Sequence, residues 1–375
     1  MNSDFHYCGT YCAALIAGYS HEEALRISYA DQMTDHCTRA FLKKVGGPSK
    51  AATTQLQSEM IDARTDIVGL QDITRIWASF HFLPRDLNAE VNRGFRLYKQ
   101  KYRLICGPNG DLVRKTVKLA EGRGLEAAGL AMHVLSDTWA HTYFAGTPSL
   151  VINNTDFNFY ELIREGDSER RVPIVFGHNP TAKENPETGS YTGSIYQGSE
   201  FSIMNLGHGR AGHLPDYSFI RYAYIPAWSD YKEIIKDNPH DYMMAFAQMV
   251  YALQVLRGVK PEFQTDTYAW KEIAPYRKQI ENLFAVRRTD DSEDWIRLGE
   301  SISGQKIPPF SLEQFNEEYI MAEKAEKDNT VLGRFFKAAI NQKTMVSSEI
   351  SATGSWLAGM AKIIDGSALS GGIRK

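Results

Sequence analysis

The stretch Gly124–Gly146, GLEAAGLAMHVLSDTWAHTYFAG, carries His133, Asp137 and His141 at successive intervals of four residues. Four residues advance an α-helix by about 40° beyond one full turn, so the three side chains would share one face, one turn apart. Apolar residues flank this face and cover the opposite one, which predicts a buried helix. Unpaired ionisable groups are costly to bury, and a divalent metal ion would neutralise these three. The alternative, a hydrogen-bonded polar seam in a helical core, is equally compatible with the spacing alone.

The chain has 375 residues, of which 43% are hydrophobic and 23% charged, as in an ordinary globular protein. Its 42 Lys and Arg against 45 Asp and Glu give a net charge of −3, so composition provides no basic field for nucleic acid or anionic lipid. The four cysteines lack CxxC spacing and favour a reducing compartment. We find neither a signal-peptide pattern nor an apolar run long enough to span a membrane. We therefore expect a cytoplasmic protein without a transmembrane segment, with export by a signal-less route as the alternative.

Helical periodicity on both sides of the central stretch predicts an all-α fold, a multi-helix bundle around a buried metal cluster. A first helix is predicted over residues 4–17 and a second over about 21–42. Ser20 is a suitable N-cap for the second, with Glu23 at the capping-box position. Antiparallel packing of these two helices would bring their ends together.

The remainder of the chain divides by composition. Residues about 164–205 are rich in Gly, Pro, Ser, Thr and Asn without a helical period, which predicts a long irregular insertion. We expect a helical metal-binding, hydrolase-like domain over 1–258 and a helical C-terminal region over 259–375. In the latter, residues 348–365 have helical apolar spacing, which favours packing in a core or on a partner over peripheral membrane contact.

Further histidines and aspartates occur before and after the central stretch. Asp31 and Asp35 are four residues apart on the second predicted helix, and the helical hairpin would bring the Asp35 end near His6; Asp4 could join them. His81 precedes a proline break and lies between two phenylalanines. The candidate metal ligands are Asp4, His6, Asp31, Asp35, His81, His133, Asp137, His141, His208, His213 and Asp216.

Mixed His and Asp ligation without thiolates suits zinc or another borderline divalent ion. So many groups exceed the needs of one four-coordinate ion and predict two or three ions with bridging carboxylates. Such clusters activate water and stabilise both oxygens of an in-line displacement at phosphorus. Asp137, as a bridge or a base, is the candidate catalytic residue, and Trp139 and Tyr217 are candidate substrate contacts.

The order of these motifs resembles the zinc-dependent phospholipase C and P1 nuclease superfamily. The matching positions are His6, Tyr29-Ala30-Asp31 (with Asp35 as rival), Phe80-His81-Phe82, His133 with Asp137, His141, and His213 with Asp216. The resemblance implies an all-helical fold that holds three zinc ions. The segments DFHY, AMHVLSDTWAHTYFAG and GHGRAGHLPDYS also look like an uncharacterised bacterial family, over most of residues 1–258, which implies no substrate.

The chain departs from the superfamily pattern in three places. The superfamily uses the amine of a processed N-terminus as a metal ligand, whereas Met1-Asn2-Ser3 stand before Asp4 here. The alternatives are that Asp4 replaces the amine or that the ion is lost. The second histidine of the central stretch comes earlier than in the superfamily. The glycine-rich turn around His208 differs as well, which leaves the choice between His208 and His213 open.

Three functions are compatible with these residues. The first is a zinc phosphodiesterase that uses metal-activated water on a lipid headgroup, a nucleotide or single-stranded nucleic acid. The second is a metal hydrolase of ester or amide bonds. The third is a non-enzymatic helical interaction or effector protein with a structural metal site. The sequence leaves the oligomeric state open.

Overall fold

The computed structural model describes residues 1–63, 67–89, 101–155, 158–166, 168–177, 184–192, 206–230 and 232–357. In these residues the α-helices are α1 (Thr10–Ile16), α2 (His21–Met33), α3 (Arg39–Val45), α4 (Gln57–Ala63), α5 (Ile67–Phe80), α6 (Asp111–Ala120), α7 (Leu125–Ala140), α8 (Leu150–Asn153), α9 (Asn238–Leu256), α10 (Trp270–Ile273), α11 (Arg277–Ala285), α12 (Ser292–Ser303), α13 (Asn316–Met321) and α14 (Val331–Ala352). The strands are β1 (Tyr160–Glu165), β2 (Ser168–Pro173), β3 (Val175–Gly177), β4 (Ser190–Thr192), β5 (Arg221–Tyr224) and β6 (Ile234–Asp237).

The predicted central helix is confirmed as α7, which is buried from Glu126 to Ala140. It packs against α2, α5, α6, α9 and α14, so it is surrounded by other helices. The helix ends at Ala140, and His141 is its C-cap, with φ −90° and ψ 16°. The backbone N–H of His141 still donates to the carbonyl of Asp137 at 2.9 Å, which keeps the third side chain of the motif beside the other two.

Helices α2 and α7 approach each other unusually closely at Gly129. A Cβ atom at this position would lie 2.1 Å from the carbonyl oxygen of Ile27 and 2.8 Å from the Cβ of Ala30. Only glycine fits such a backbone approach. The contact aligns Asp31 of α2 with His133, which lies one turn after Gly129 on α7.

The N-terminal helices differ in detail from the prediction. A π-helical turn, Asp4–Gly9, precedes α1 and carries His6. The predicted capping box at Ser20 and Glu23 is confirmed by both of its hydrogen bonds. The single helix predicted over 21–42 is instead two helices, because Thr38 caps a new helix by accepting from the N–H of Phe41. Asp35 therefore lies in a connection between helices.

The all-α prediction is wrong, because the structure is mixed α/β, about 55% helical with 10% in strands. Four strands form an antiparallel sheet in the order β2-β1-β5-β6, and β3 and β4 form a parallel pair. Four of these strands lie in or overlap the segment expected to be an irregular insertion, 164–205. Its lack of apolar alternation has a physical reason: β2, SERRVP, is an edge strand with almost every side chain exposed.

The C-terminal helices share one hydrophobic core with the N-terminal ones. Trp295 of α12 contacts the rings of Phe5 and Phe246, with centroids 6.1 and 5.6 Å apart. Gln342 of α14 donates to the carbonyl of Ser79 at 3.1 Å. The four cysteines are buried and unpaired. Among the helices described, none combines the length and the apolar character that crossing a bilayer requires.

Candidate metal centre

Nine of the eleven candidate ligands come together around Asp137 of α7. The structure forms three sets of possible ligand atoms, two of which share His133, and within each set these atoms lie within 4.8 Å of one another. We name them the inner group (His6, Asp31, His133), the central group (Asp35, His81, His133, joined by Asp137) and the outer group (His141, His208, Asp216).

The central group has the spacing of ligands around one tetrahedral ion. His81 Nδ1, His133 Nε2 and Asp137 Oδ2 form a triangle in which all three separations are 3.2 Å. The fourth atom, Asp35 Oδ1, lies 3.8 Å from His81 Nδ1 and 3.7 Å from His133 Nε2. Ligand atoms bound about 2.0–2.1 Å from a tetrahedral zinc ion lie about 3.3 Å apart. These residues therefore fit a four-coordinate divalent ion.

Backbone carbonyls fix the orientation of the rings. His81 Nε2 lies 3.1 Å from the carbonyl oxygen of Thr53, and His141 Nδ1 lies 2.6 Å from that of His81. His208 Nδ1 lies 2.7 Å from the carbonyl of Gly212. A ring nitrogen beside a carbonyl must carry the proton, because a carbonyl only accepts. The opposite nitrogen of each ring therefore carries a lone pair, and this lone pair faces the other candidate ligands of its group.

The outer group is built from the end of α7 and the glycine-rich segment. His141 Nε2 lies 3.1 Å from Asp216 Oδ1, and His208 Nε2 lies 3.5 Å from Asp216 Oδ2. His208 precedes the first of two short 3₁₀ turns, Gly209–Ala211, and Asp216 ends the second, Leu214–Asp216; these turns bend the chain around the site.

The inner group joins the π-helical turn Asp4–Gly9 and α2 to α7. His6 Nδ1 lies 2.7 Å from Asp31 Oδ1, and the ring of His6 stacks on that of His133 with centroids 4.0 Å apart. His6 Nε2 is fully buried and has no hydrogen-bond partner, although Asp137 Oδ1 lies 3.3 Å away. A buried ring nitrogen without a partner is rare. An ion beside Asp137 would supply the missing interaction.

Asp137 lies where the three groups meet. Its Oδ2 belongs to the central group, and its Oδ1 faces His6 and the amino group of Met1, which donates to it at 2.8 Å. The same amino group lies 3.3 Å from Asp216 Oδ1. Burial lowers the pKa of this amine, but the carboxylates of Asp137, Asp216 and Asp35 outweigh burial and raise the pKa to about 11. In this arrangement the amine is a cation between two carboxylates.

The charges around α7 favour a further cation. Burial lowers the pKa of His133, yet Asp137 and Asp35 outweigh it and raise the pKa to about 10. Burial raises the pKa of Asp137, but His141, the Met1 amine and His133 together hold it well below its ordinary value. The field of these ionised carboxylates thus stabilises positive charge at His133 Nε2, and a divalent cation there would experience the same field.

Two further candidate ligands have the protonation state that metal binding would require. Burial is the largest influence on both His81 and His208; it lowers the pKa of His81, and it lowers that of His208 to about 4. Both imidazoles are therefore neutral near pH 7 and free to bind a metal through a lone pair.

The other candidate residues lie at the edge of the centre or away from it. Asp4 accepts from the backbone N–H groups of Phe5 and Asp291, at 2.8 and 3.0 Å, and belongs to none of the three groups. His213 is 61% exposed and reaches Asp216 Oδ2 through Nδ1 at 3.1 Å.

The two candidate substrate contacts lie on different sides of the centre. Tyr217 is buried next to Asp216 and, with Asn2 and Arg288, lines a cavity of about 10 Å³. This volume holds about one water molecule. Trp139 donates to Gln248 at 2.9 Å and packs towards α9 rather than towards the ligand groups.

Sequence reasoning did not identify several groups that complete the centre. Thr10 donates to Asp31 Oδ2 at 2.6 Å. It lies four residues after His6, and this helical spacing is the feature of the sequence that places it on the same face as His6. The carbonyls of Thr53 and Gly212 have no signature in a sequence, because every residue carries one. The sequence assigns no role to the Met1 amine, because three residues stand before Asp4, and the alternatives there are that Asp4 replaces the superfamily's amine or that the ion is lost.

The model of a protein family of unknown function, DUF6765, matches residues 1–350. The chain belongs to this family. The match extends past residue 258, where the resemblance to an uncharacterised family was expected to end, so the C-terminal helices are part of the same family unit. Neither the search of curated proteins nor the search of solved structures found a match.

Proposed function

We propose that this member of DUF6765 is a metal-dependent hydrolase, with zinc as the preferred metal and a phosphodiester as the substrate. The observation that carries the proposal is the convergence of three nitrogen and oxygen ligand groups on Asp137. One structural ion needs four ligands, and the centre offers more than twice as many. A centre of two or three ions that share a carboxylate is typical of enzymes that act on phosphate esters.

The accessibility of the ligands supports a catalytic rather than a structural site. Structural zinc sites are closed, whereas catalytic sites keep one position open. The side chain of Asp35 is 30% exposed and that of His208 is 17% exposed, while His6, His133 and Asp137 are buried. The cluster thus has a closed side on α7 and a side that is partly open to solvent, as a catalytic site requires.

The bound ion and the residues around it would have separate roles in hydrolysis. Zinc or a similar ion, when bound, acts as a Lewis acid that makes water a better nucleophile and offsets the negative charge developing on phosphoryl oxygens. Asp137 has a pKa well below its ordinary value, so it stays ionised and is suited to joining the groups rather than to accepting a proton. His81 and His141 are held in place by backbone carbonyls, which keeps their free nitrogens aligned before a substrate arrives.

The substrate class follows from the chemistry of the centre, and its finer identity is left to the assay. A lipid headgroup and a nucleotide share the phosphodiester that such a centre would cleave. Cytoplasmic localisation and peripheral membrane contact both remain predictions from the sequence. Residues 348–365, for which the sequence favours packing in a core or on a partner over membrane contact, lie partly outside the described residues.

Metal content and hydrolysis together test the proposal. We would measure transition metals by plasma mass spectrometry in the wild type and in the double variant His133→Ala, Asp137→Ala. We expect two or three zinc equivalents in the wild type and their loss in the double variant. The zinc-loaded wild type is expected to hydrolyse bis-p-nitrophenyl phosphate, phosphatidylcholine vesicles or single-stranded DNA faster than p-nitrophenyl acetate and a casein peptide.

A matched control is His240→Ala, which removes an exposed imidazole at the start of α9. It is expected to keep the metal content and the activity of the wild type. Less than half an equivalent of metal in the wild type, purified without a chelator, would contradict the hydrolase assignment. Full metal content with no hydrolysis of any substrate would favour the structural metal site, and a preference for the ester or the peptide would favour the second alternative.

A further inference from the structure

Asp31 is a buried carboxylate whose two oxygens are both already occupied by protein donors. Its Oδ1 lies 2.7 Å from His6 Nδ1 and 3.1 Å from His133 Nδ1, and its Oδ2 accepts from Thr10 Oγ1 at 2.6 Å. The side chain is fully buried. A carboxylate with three donors is satisfied without an ion.

The central group determines which nitrogen of His133 carries the proton. A neutral imidazole binds a metal through one nitrogen and keeps its proton on the other. His133 Nε2 lies in the 3.2 Å triangle with His81 and Asp137, so this nitrogen is the ligand atom. The proton then belongs on Nδ1, which faces Asp31, and the contact at 3.1 Å is an N–H···O hydrogen bond.

The same assignment explains His6. If Nδ1 carried the lone pair, the proton would be on Nε2, which is buried without a hydrogen-bond partner. With the proton on Nδ1, His6 donates to Asp31 at 2.7 Å, and Nε2 faces Asp137 as a lone pair. The 2.7 Å separation is a hydrogen-bond length and is shorter than the distance of about 3.3 Å between two ligands of one tetrahedral ion.

We propose that Asp31 is a positioning residue, not a metal ligand: it accepts the Nδ1 protons of His6 and His133 at once and turns both Nε2 atoms towards Asp137. The inference rests on the proposed metal centre. It assigns Asp35, which lies 3.7 Å from His133 Nε2 and is partly exposed, as the carboxylate that binds the ion from the connection between α2 and α3.

The test compares Asp31→Asn with Asp35→Asn in the full-length chain, with zinc alone as the probe. Plasma mass spectrometry at saturating zinc gives the stoichiometry, and competition with a chelator gives the affinity. Asp31→Asn is expected to keep every zinc equivalent and to bind zinc 10–100-fold more weakly, the usual effect of losing an orienting partner of a ligand. Asp35→Asn is expected to lose one equivalent.

Nitrogen-15 NMR of the histidines provides a readout that a merely structural role would not change. The zinc-loaded wild type should carry protons on Nδ1 of His6 and His133. Protons on Nε2, loss of a zinc equivalent in Asp31→Asn, or an unchanged zinc affinity in that variant would each overturn the assignment.

A second variant covers the case in which Asp31→Asn does not fold. Thr10→Val keeps the side-chain shape and removes the donor to Asp31 Oδ2, so it should keep the zinc stoichiometry and lower the affinity several-fold; an affinity equal to that of the wild type would argue against the proposal. A wild type that binds zinc but hydrolyses nothing would refute the proposed function and leave the role of Asp31 intact. A wild type that binds no zinc would overturn both.

Discussion

The histidines around Asp137 are oriented by hydrogen bonds between the ring nitrogen that points away from the cluster and neighbouring backbone carbonyls. Thr53 and Gly212 contribute only a backbone carbonyl, and each fixes the proton of one ring, His81 and His208 respectively. Rings that are oriented before the metal arrives bind it with less loss of side-chain entropy. We therefore expect the ligand set to be decided by which rings are held in this way, not by which histidines are nearest in sequence.

The choice between His208 and His213 can be tested on this basis. His208 has Nδ1 fixed by Gly212 and Nε2 directed at Asp216, whereas His213 is 61% exposed and uses Nδ1 to contact the same carboxylate. We predict that His208→Ala loses one zinc equivalent and that His213→Ala keeps all of them. Plasma mass spectrometry of the two variants, purified side by side, is the measurement. The reverse pattern would place His213 in the metal centre.

Asp291 gives a prediction about stability and pH. Burial and, after it, the nearby carboxylate of Asp4 raise the pKa of Asp291 to about 7, against the opposing effect of Arg288. Between pH 4 and 7 the native state therefore holds a proton that the unfolded state has released, so stability falls as the pH rises. Asp291→Asn removes this pH dependence. The free energy of unfolding of the variant, relative to that of the wild type, should therefore grow by about 1–2 kcal/mol from pH 5 to pH 8.

Denaturant titrations at the two pH values measure this difference. Asp290→Asn is the matched control, because Asp290 is an exposed neighbour. Parallel pH profiles for the wild type and Asp291→Asn would contradict the prediction.

The packing of α7 against α2 fixes the geometry of the inner and central groups. Gly129 allows the backbone of α2 to approach, and this approach brings Asp31 to His133. Gly129→Ala would place a Cβ 2.1 Å from the Ile27 carbonyl, so the helices must separate. We predict a loss of about 1–3 kcal/mol of stability, as for other overpacked interiors, together with weaker zinc binding.

Thermal unfolding and chelator competition check the Gly129 prediction. Gly177→Ala is the control, since a Cβ there meets only the Tyr191 carbonyl, at an ordinary 3.8 Å. Wild-type stability and zinc affinity in Gly129→Ala would mean that the spacing of α2 and α7 does not control the site.

The sequence reveals helices and strands unequally. Apolar residues at helical spacing predict α7, and the capping box at Ser20 predicts the start of α2, because both signals are local. The strand β2 gave no such signal, since an exposed edge strand has no buried face to impose alternation. The four-residue spacing of His133, Asp137 and His141 likewise predicts their common face. The roles of Asp31 and Asp35 depend on how α2 meets α7, and no local pattern encodes that contact.

The chain beyond residue 258 is bound to the helices that carry the centre. Glu126 of α7 is fully buried and accepts from Arg26 of α2 and from Arg334 of α14. Trp295 packs against Phe5, one residue before His6. Removing one of the two arginines leaves the buried charge of Glu126 less well compensated, which is destabilising. The C-terminal helices therefore support the helices that carry the candidate ligands directly.

We predict that a fragment of residues 1–258 does not form the metal centre. It would leave Glu126 with one of its two arginines and would expose the aromatic core around Phe5, which Trp295 covers in the full chain. A fragment of residues 1–354, which keeps α14, is the control and should unfold cooperatively and bind as much zinc as the full chain. Circular dichroism during heating and zinc content measure both fragments. If the 1–258 fragment unfolds cooperatively and retains two or three zinc equivalents, it is an independent domain; if it is unfolded or metal-free, the helices from α10 to α14 are part of the scaffold that holds His6 and Glu126 in place.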